Sequence, residues 1–484
     1  MNIPISGQVG ILNSGDSPTS WMQNNLAVLG PRTLRELCIP GSHDAGMSTR
    51  TGGTAFGKEC NTLTQTLGIL GQLSQGARYF DIRPVISGGH YYTGHYSFVG
   101  AINSWQGANG QPIQSIDGQS VQSIISDINN YTASNQELIV LSLSSDRDTD
   151  QSSYPPFTQE QWNTLLSMLE GINNRYIAPN PTTVDLTQLS LQHFIGNSQA
   201  AVIVVVDPNG SGISLGDYAS KGFYSPSSLN VYNEYSNTND FDTMANDQLA
   251  KMKTQRTSPD SPCFLLSWTL TQSDGQAVAC GLPSPFNAGC ISIVDLANTA
   301  NPALCGKLWP ACTSQCYPNI LYTDNVNTSV FAALALAINF MAISGNPVPS
   351  GSPYLPSGSY LINSQNISIT LNATCQNVNG QSVPSSLTYE ASQLGPVFDI
   401  HNTNGQLGLS VQSGVPNKPV PSGSPFIPSG SYALTSQQIS VTISASCQNM
   451  QGQWVPSTLT FTADEASSIT DINNINGQLG LTKV

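Results

Sequence analysis

The chain has 484 residues, of which only 9% are charged, with 15 Lys and Arg against 29 Asp and Glu and a formal net charge of −14. An ordinary soluble domain carries about 25% charged residues, yet disorder does not explain the deficit, because 39% of this chain is hydrophobic. The scarcity of Lys and Arg argues against nucleic acid as a partner and against electrostatic adsorption to an anionic membrane, so a peripheral membrane contact would use apolar or aromatic side chains.

The first residues do not resemble a secretory signal. Met1 to Ser20 has no basic start and no apolar core of sufficient length. We expect a protein that is secreted or released by a non-classical route, which the composition and the cysteines favour, or one that is numbered from a processed form. A cytoplasmic protein is the alternative.

Seven apolar runs recur before residue 345, separated by helical or loop stretches: 37–43, 77–84, 90–96, 137–144, 200–207, 263–270 and 319–326. Short runs rich in Val, Ile and Leu are typical of strands that are buried on both faces of a parallel sheet. Their number over this length favours a closed α/β barrel over an antiparallel sandwich.

Polar residues fall at or just after the ends of these runs: His43, Asp44, Asp81, Arg83, Ser144, Asp207, Thr269 and Asp324. The carboxyl ends of parallel strands form the face on which barrel enzymes assemble their catalytic groups. We therefore expect these side chains to meet at one end of the barrel. The longest apolar run, Val330 to Ile343, is too short to span a bilayer and predicts a buried helix.

Ten cysteines are present: Cys38, Cys60, Cys263, Cys280, Cys290, Cys305, Cys312, Cys316, Cys375 and Cys447. Disulfides that close long loops are the leading interpretation of this even number. A thiolate zinc site is disfavoured, because the closely spaced Cys305, Cys312 and Cys316 have no neighbouring histidine.

The C-terminal part contains an internal duplication. SGSPYLPSGSY at 350–360 returns as SGSPFIPSGSY at 422–432, and 35 of the 60 positions that align between 350–409 and 422–481 are identical. Each repeat contains stretches of period-two alternation bounded by Gly, Asn and Pro, which predicts antiparallel strands. A Pro- and Gly-rich linker precedes the duplication, so we predict one domain over 1–345 and an all-β domain over 346–484.

Two of the five histidines have special neighbours: His43 in IPGSHDAGM and His95 in YYTGHYS. A lone histidine is most often a structural residue. Here, however, histidines, aspartates and an arginine follow successive strands. Together they supply the base, the acid, the orienting carboxylates and the cation that a metal-free transfer at a phosphodiester requires.

These residues lie in motifs that resemble the catalytic (X) domain of bacterial-type phosphatidylinositol-specific phospholipase C. The matching stretches are WMQNNLAVLGPRTLRELCIPGSHDAGMS at 21–48, GARYFDIRP at 76–84, YYTGHYS at 91–97, ELIVLSLS at 137–144, FLLSWTLTQS at 264–273 and ILYTDNV at 320–326. The resemblance covers roughly 15–345. It implies a distorted TIM (β/α) barrel, in agreement with the predicted strands.

The resemblance also implies roles for the residues in these motifs. His43 would be the general base that takes the proton of the inositol 2-hydroxyl, and Asp324 would orient it. His95 would be the general acid that protonates the departing diacylglycerol oxygen, with Asp44 as its carboxylate partner. These roles require both histidines to face one bound phosphate.

The resemblance assigns the phosphate to Arg83, with Asp81 supporting the guanidinium. Some forms of the family hold calcium where Arg83 stands. A guanidinium can take the place of that cation directly, so we expect neither a metal nor another cofactor.

The chain departs from the bacterial pattern where the headgroup would bind. Basic residues of the pattern are replaced by Ser144 and Ser145 after one strand and by Asp207 after the next. Asn233 and Tyr235 stand where the family has an inositol-contacting pair; they either contact the headgroup or are ordinary loop residues. The implied substrate is phosphatidylinositol, with another glycerophospholipid, a glycosylated inositol lipid or a soluble phosphodiester as alternatives.

The C-terminal repeats resemble the cyanovirin-N homology domain, in which two tandem repeats intertwine into a small β-rich lectin. The matching stretches are 359–409 and 431–481. The upstream half-cystine of many members is absent, and Ser364 and Ser436 stand nearby, so Cys375 and Cys447 are free or are paired differently, a bond between the two included. The resemblance implies an oligosaccharide partner, often mannose-rich, at residues that the variable loops leave unassigned. A β-module that only pads or dimerises the enzyme is the alternative.

The leading hypothesis is therefore a metal-independent phosphodiesterase of phospholipase C type, held at glycan-bearing surfaces by a lectin-like tail. Tethering would raise the local enzyme concentration without basic residues. A carbohydrate-binding defence or toxin protein with a weakly active or inactive barrel is the main alternative. A glycerophosphodiesterase or sphingomyelinase type of enzyme is disfavoured by Arg83, because such sites generally hold a metal between carboxylates.

Overall fold

A computed structural model describes residues 18–116, 122–208, 212–283, 285–344, 350–411 and 419–483. The described chain divides into two compact units, one with 18–301 and 311–335 and the other with 302–310 and the described residues from 336 onward. The predicted boundary between 345 and 346 lies outside the described residues and stays a prediction. Most of the segment examined for a secretory signal, Met1 to Ser17, lies outside them as well.

The α-helices are α1 Trp21–Asn24, α2 Leu26–Leu29, α3 Glu59–Thr62, α4 Ile69–Ser74, α5 Ile124–Thr132, α6 Gln159–Leu169, α7 Leu191–Ile195, α8 Phe241–Gln255, α9 Asp274–Gly281, α10 Ile293–Leu308, α11 Val330–Ser344 and α12 Ala463–Ala466. Short 3-10 helices cover Pro18–Ser20, Leu34–Glu36, Gly100–Ile102, Leu186–Gln188, Gly216–Lys221, Pro226–Ser228, Trp309–Ala311, Ser359–Ile362, Ala391–Gln393 and Ser431–Leu434.

The strands are β1 Ile39–Ser42, β2 Gly52–Gly53, β3 Tyr79–Ile82, β4 Pro84–Ser87, β5 His90–Val99, β6 Ser104–Pro112, β7 Leu138–Ser144, β8 Arg147–Asp148, β9 Ala201–Asp207, β10 Phe223–Tyr224, β11 Val231–Tyr232, β12 Cys263–Trp268, β13 Ile320–Thr323, β14 Ser364–Gln376, β15 Ser382–Glu390, β16 Val397–Thr403, β17 Gln406–Val411, β18 Ser436–Gln448, β19 Trp454–Thr462, β20 Ile469–Ile475 and β21 Gln478–Lys483.

Eight strands of the first unit form one parallel sheet in the order β10-β9-β7-β3-β1-β13-β12-β11. The apolar runs form its central strands; β12, for example, is buried along its whole length. The predicted α/β class with a parallel sheet is confirmed. Among the described residues no ladder joins the two-residue strands β10 and β11, so the sheet is an open, distorted version of the predicted closed barrel.

The register of the central strands brings their carboxyl ends to one edge. Ser42 at the end of β1 lies opposite Thr323 in β13 and Phe80 in β3. The residues that follow β1 and β13, and those at the end of β3, therefore emerge side by side. This is the placement that the polar residues after the apolar runs predicted.

The run at 90–96 was predicted to be a strand of the parallel sheet, but it lies outside that sheet. It forms β5 of a five-stranded sheet, order β2-β6-β5-β4-β8, in which β5 is antiparallel to β4 and β6. The reason lies in the tight turn before it, because Gly88 and Gly89, with φ of 58° and 74°, connect Ser87 to its partner His90. Two residues with positive φ favour a β-hairpin, which returns the chain beside β4.

The apolar run near residue 330 forms the predicted helix, α11, and its residues 331–338 are buried. In the part of the chain that the structure describes, no helix combines the length and the apolar character needed to cross a membrane. The helix is thus part of a protein core, as its length predicted.

The second unit contains the two repeats, which form antiparallel strands as predicted. A four-stranded sheet, order β15-β14-β18-β19, joins one repeat to the other through the β14–β18 pair, and each repeat adds a hairpin, β16–β17 or β20–β21. Residues along β14 alternate between buried and more exposed positions over most of its length. This pattern explains the period-two alternation of the sequence.

The repeats also exchange side-chain contacts. Asp399 in the first repeat accepts hydrogen bonds from the backbone N of Ser431 (2.8 Å) and from its Oγ (2.5 Å) in the second. Asp471 makes the equivalent contacts to Ser359, at 2.7 Å and 2.5 Å. Each repeat is therefore completed by the other.

The cysteines of the repeats are not bonded to each other. The Sγ of Cys375 lies 3.2 Å from the Oγ of Ser436, and the Sγ of Cys447 lies 3.3 Å from the Oγ of Ser364. Each serine belongs to the opposite repeat. A hydrogen bond across the β14–β18 pair thus joins each cysteine to the serine of the other repeat, not to the serine nearby in its own repeat.

Candidate active site

A cleft of about 420 Å³ opens at the carboxyl ends of the parallel strands. Four predicted catalytic residues line it: His43, Arg83, His95 and Asp324. Its uncharged polar lining comprises Asn61, Thr64, Ser97, Gln106, Ser145, Asn233, Ser267, Thr269, Thr271 and Gln272. Apolar side chains, among them Phe98, Val99, Leu270 and Ile293, complete the lining. The cleft thus holds four of the six predicted catalytic residues on a surface of mixed polar and apolar character.

His43 follows β1 and is paired with the carboxylate that follows β13. Its Nδ1 lies 2.7 Å from Oδ1 of Asp324, which is almost completely buried. The backbone N of His43 donates to the carbonyl of Thr323 (3.0 Å), and the Gln65 side chain donates to the carbonyl of His43 (2.8 Å). These contacts fix the ring with Nε2 turned away from Asp324 and toward Arg83.

His95 in β5 forms a second pair of the same kind. Its Nδ1 lies 2.7 Å from Oδ2 of Asp44, whose side chain is completely buried. Asp44 has a φ of 44°, a left-handed conformation that Asp tolerates better than most residues. The sharp turn directly after β1 therefore points successive side chains toward different histidine rings, because Asp44 reaches His95 while His43 faces Asp324.

Arg83 lies between the two pairs. Its Nε donates to Oδ2 of Asp81 (3.0 Å), its Nη1 is 3.5 Å from Oδ2 of Asp44, and its Nη2 is 2.6 Å from Nε2 of His43. The guanidinium is a quarter exposed, with a side-chain exposure of 25%. It therefore presents a fixed, partly accessible cation to the cleft.

Asp81 is held in turn by groups that sequence reasoning did not assign. Tyr322 donates its hydroxyl to Oδ2 (2.6 Å), the backbone N of Asp44 donates to the same oxygen (3.1 Å), and Ser144 donates to Oδ1 (3.1 Å). The Tyr322 ring also meets the His43 ring edge-on at 5.2 Å. The sequence signal for Tyr322 was weak: it lies two residues before Asp324, a spacing at which side chains of extended backbone point the same way.

The contact between Arg83 and His43 identifies the protonation state of the histidine. A guanidinium is always charged and can only donate, so Nε2 of His43 accepts. The ring proton must then be on Nδ1, where Asp324 accepts it. In this state His43 is neutral and its lone pair faces the cleft, as a general base requires.

The charges of the site shift several pKa values. Burial would lower the pKa of His43, but the Asp324 carboxylate outweighs burial and the Arg83 charge, so this pKa is raised. Burial would raise the pKa of Asp81, but Arg83, His43 and the Tyr322 hydrogen bond hold it below its usual value. The pKa of Arg83 is raised because Asp81 and Asp44 outweigh its burial.

We expect Asp324→Asn to move the acidic limb of the pH–rate profile to lower pH. The base acts only when His43 is deprotonated, so the rate rises as pH passes through the pKa of His43, which Asp324 raises. Removing that charge removes the main cause that raises this pKa, so the pKa of His43 falls. The pH dependence of kcat/KM measures the shift, and the exposed Asp217→Asn is the control. An unmoved limb would contradict the pairing.

Of the other residues singled out from the sequence, Asn233, Tyr235 and Ser145 are at the cleft and Asp207 is not. Asn233 and Tyr235, in the exposed segment after β11, line it, and Ser145 lines it after β7. Asp207, which replaces a basic residue of the bacterial pattern, is exposed at the end of β9 and does not line the cleft. This placement would bring Asn233 and Tyr235 near a bound headgroup. Their role stays a prediction.

No family model and no curated protein matches the chain. Solved structures that align with part of it include a phosphatidylinositol-specific phospholipase C from Staphylococcus aureus, at 20% identity and a TM-score of 0.44 over 66% of this chain and 97% of that chain. The phosphatidylinositol-specific phospholipase C from Listeria monocytogenes aligns at 15% identity and a TM-score of 0.43 over 66% and 98%. We base the proposed function on the geometry of the site itself.

Proposed function

We propose that the protein is a phosphodiesterase of phospholipase C type that needs no metal and cleaves phosphatidylinositol or a related phospholipid to diacylglycerol and a cyclic inositol phosphate. One observation carries the proposal: two histidines, each backed by a buried carboxylate at 2.7 Å, face one cleft with an arginine between them. This arrangement supplies both proton transfers and the cation for a phosphoryl group.

In the first step, His43 takes the proton of the substrate hydroxyl that attacks phosphorus. Nε2 of His43 is occupied by Arg83 at 2.6 Å, so the guanidinium must turn from the histidine to the phosphate when substrate binds. The planar guanidinium moves as one unit, so its contacts to Asp81 and Asp44 must loosen as Nη2 leaves the histidine. Substrate binding thus frees the base and places the cation over the nonbridging oxygens in one movement.

In the second step, His95 protonates the oxygen of the departing diacylglycerol. Asp44 holds Nδ1 of His95, which leaves Nε2 as the atom that donates the proton. The bond between phosphorus and that oxygen breaks as the bond to the attacking hydroxyl forms, and the product is a cyclic phosphodiester. Because His43 gains a proton and His95 loses one, the two exchange roles if water then opens the ring.

The lining of the cleft supports an uncharged headgroup rich in hydroxyls. Arg83 is the sole Lys or Arg among the described residues that line it, which matches the single negative charge of a phosphodiester. Further phosphate groups on the headgroup would meet Asp274 and Asp324 rather than a second cation. Serine, threonine and amide side chains can exchange hydrogen bonds with a polyol.

We also propose that the repeats bind oligosaccharide, mannose-rich glycans among them, and hold the enzyme at glycan-bearing surfaces. The support is the resemblance of the repeats to a lectin family and the small number of basic residues in the chain, which gives charge little part in attraction to an anionic membrane. A glycan tether supplies the missing attraction by raising the local concentration.

Phosphorus NMR of the reaction products tests the proposed activity. We expect a cyclic inositol phosphate from phosphatidylinositol, and slower or no turnover of inositol lipids that carry extra phosphates and of phosphatidylcholine. A noncyclic phosphate as first product, or turnover that a chelator abolishes, would contradict the mechanism.

Binding of the full chain to a glycan array that includes mannose-rich oligosaccharides tests the proposed role of the repeats. No binding to any glycan would remove that part of the proposal.

A further inference from the structure

Three cysteines lie together beside the cleft: Cys60 in α3, Cys280 in α9 and Cys290 in the loop that follows α9. Their sulfur atoms all lie within 4.8 Å of one another. We refer to Cys60, Cys280 and Cys290 as the three-cysteine cluster. A disulfide uses two cysteines, so one thiol of the cluster is always left over when the other two are bonded.

The backbone decides which pairs can bond. The Cα atoms of Cys280 lie 5.9 Å from Cys60 and 4.7 Å from Cys290, whereas those of Cys60 and Cys290 are 7.6 Å apart. Disulfides usually span Cα distances of about 4.4–6.8 Å. Cys280 therefore fits a bond to either neighbour, and the pair without Cys280 does not fit.

We propose that the three-cysteine cluster is a redox-active thiol–disulfide site in which Cys280 bonds to Cys60 or to Cys290 and the third thiol exchanges between these two states. The first bond forms when an external disulfide, such as oxidised glutathione, takes two electrons and two protons from two of the thiols and is reduced to its thiols. The later exchange needs no oxidant or reductant.

The exchange step balances within the cluster. The thiolate of Cys290 attacks Sγ of Cys280, the bond between Cys280 and Cys290 forms, and the bond to Cys60 breaks. Cys60 leaves as a thiolate and takes up the proton that Cys290 released. Cys280 is 5% exposed while its two neighbours are half-buried, so a small external thiol or disulfide reaches the outer cysteines first.

The two states differ in what they connect. The bond between Cys60 and Cys280 joins residues 220 positions apart and ties α3 to α9, whereas the bond between Cys280 and Cys290 closes a separation of only 10. Asn61 in α3 and Ala277 in α9 line the cleft and are themselves joined by a hydrogen bond of 3.1 Å. Exchange therefore adds or removes a covalent tie in the cleft wall.

The surroundings favour sulfur exchange over a bound metal. The amide nitrogen of Gln272 lies beside the cluster, 3.6 Å from Sγ of Cys280. Its orientation is fixed, because the same nitrogen donates to the carbonyls of Cys60 (3.1 Å) and Ile291 (2.5 Å). A hydrogen-bond donor cannot act as the fourth ligand that a three-thiolate zinc site would need from the protein.

Disulfide mapping of the full-length protein tests the proposal. The protein is treated with oxidised glutathione, its remaining thiols are alkylated in denaturant, and peptides are identified by mass spectrometry. We expect alkylation of Cys60 and Cys290 in amounts that sum to about one equivalent per chain, with Cys280 protected. Cys60→Ser should keep only the bond between Cys280 and Cys290, and Cys290→Ser only the bond between Cys60 and Cys280. Cys316→Ser, outside the cluster, should give the wild-type pattern.

Three results would overturn the proposal. One is alkylation confined to a single outer cysteine, which would mean that no exchange occurs. Another is a bond between Cys60 and Cys290 in Cys280→Ser protein. The last is a protein that keeps all three thiols while elemental analysis finds one zinc per chain, which would make the cluster a metal site. None of these readouts depends on catalytic activity, so they stand apart from the proposed function.

Discussion

Replacement of His43 by alanine is expected to lower the turnover of phosphatidylinositol by roughly 10²- to 10⁴-fold, the range typical of a lost general acid or base. His43 holds its lone pair toward the cleft because Asp324 accepts the proton on Nδ1 at 2.7 Å. No other histidine lines the cleft on that side in the described chain; His95 is bound to a different carboxylate. Its loss therefore leaves the substrate hydroxyl without a base.

His95→Ala should cause a loss of similar size for a different reason, which substrates with different leaving groups reveal. A leaving group that departs readily without a proton, such as a nitrophenolate, should restore much of the rate in His95→Ala and little in His43→Ala. His90→Ala is the matched control, because His90 is exposed at the start of the same strand and lies outside the cleft. Full activity in His43→Ala or in His95→Ala would contradict the role assigned to that histidine.

The second large effect is expected from Arg83→Lys, which should lower kcat by about 10²- to 10³-fold, the loss measured when a preorganised donor to a developing oxyanion is removed. Lysine retains the positive charge but lacks the planar, forked guanidinium, whose nitrogens donate in several directions at once. Arg83 uses three nitrogens, toward Asp81 at 3.0 Å, Asp44 at 3.5 Å and His43 at 2.6 Å. A single ammonium cannot keep these contacts and also hold two phosphate oxygens.

Two measurements accompany this variant. Arg50→Lys, at an exposed arginine that does not line the cleft, should leave kcat unchanged. A chelator should leave the wild-type rate unchanged, because the proposed mechanism uses the guanidinium as the cation. If Arg83→Lys keeps the wild-type rate, or if a chelator abolishes the activity of the wild type, then the arginine does not supply the charge.

The sequence was informative about the site because parallel strands convert order along the chain into proximity. His43 and Asp324 are far apart in sequence, yet both directly follow strands that pair in register, with Ser42 opposite Thr323. Recognising the apolar runs was therefore enough to predict that the polar residues after them would meet. The same logic located Asp81 and Ser144, because β3 and β7 are neighbours in that sheet.

The logic failed where a tight turn changed the strand direction. The run at 90–96 contains no Val, Ile or Leu, unlike the central strands of the parallel sheet, and the Gly88–Gly89 turn returns it antiparallel to β4. Only this return carries His95 over the sheet to Asp44. The signal was local and was missed because the run was judged by its apolar residues alone. Tyr322 was missed for another reason: a buried tyrosine in a strand is indistinguishable from core until its hydroxyl is seen on Asp81.

The cysteines show the limit of sequence reasoning most clearly. Six of the ten lie between 263 and 316, which suggests pairing among themselves, yet the cluster takes only Cys280 and Cys290 from that group and adds the distant Cys60. Spacing along the chain could not predict this, because the packing of α3 against α9 brings Cys60 within reach. Non-local packing also decided that Cys375 and Cys447 face serines of the opposite repeat.

The exchange of contacts between the repeats has a consequence for how the protein is made. Ser359 donates a hydrogen bond to Asp471, near the end of the second repeat, and Asp399 accepts one from Ser431, near the start of that repeat. During synthesis on the ribosome the first repeat therefore emerges with the central strand β14 lacking one neighbour and with buried hydrogen-bonding groups unsatisfied. The two repeats therefore cannot fold one after the other. We expect the first repeat to complete its fold only when nearly the whole second repeat has been translated.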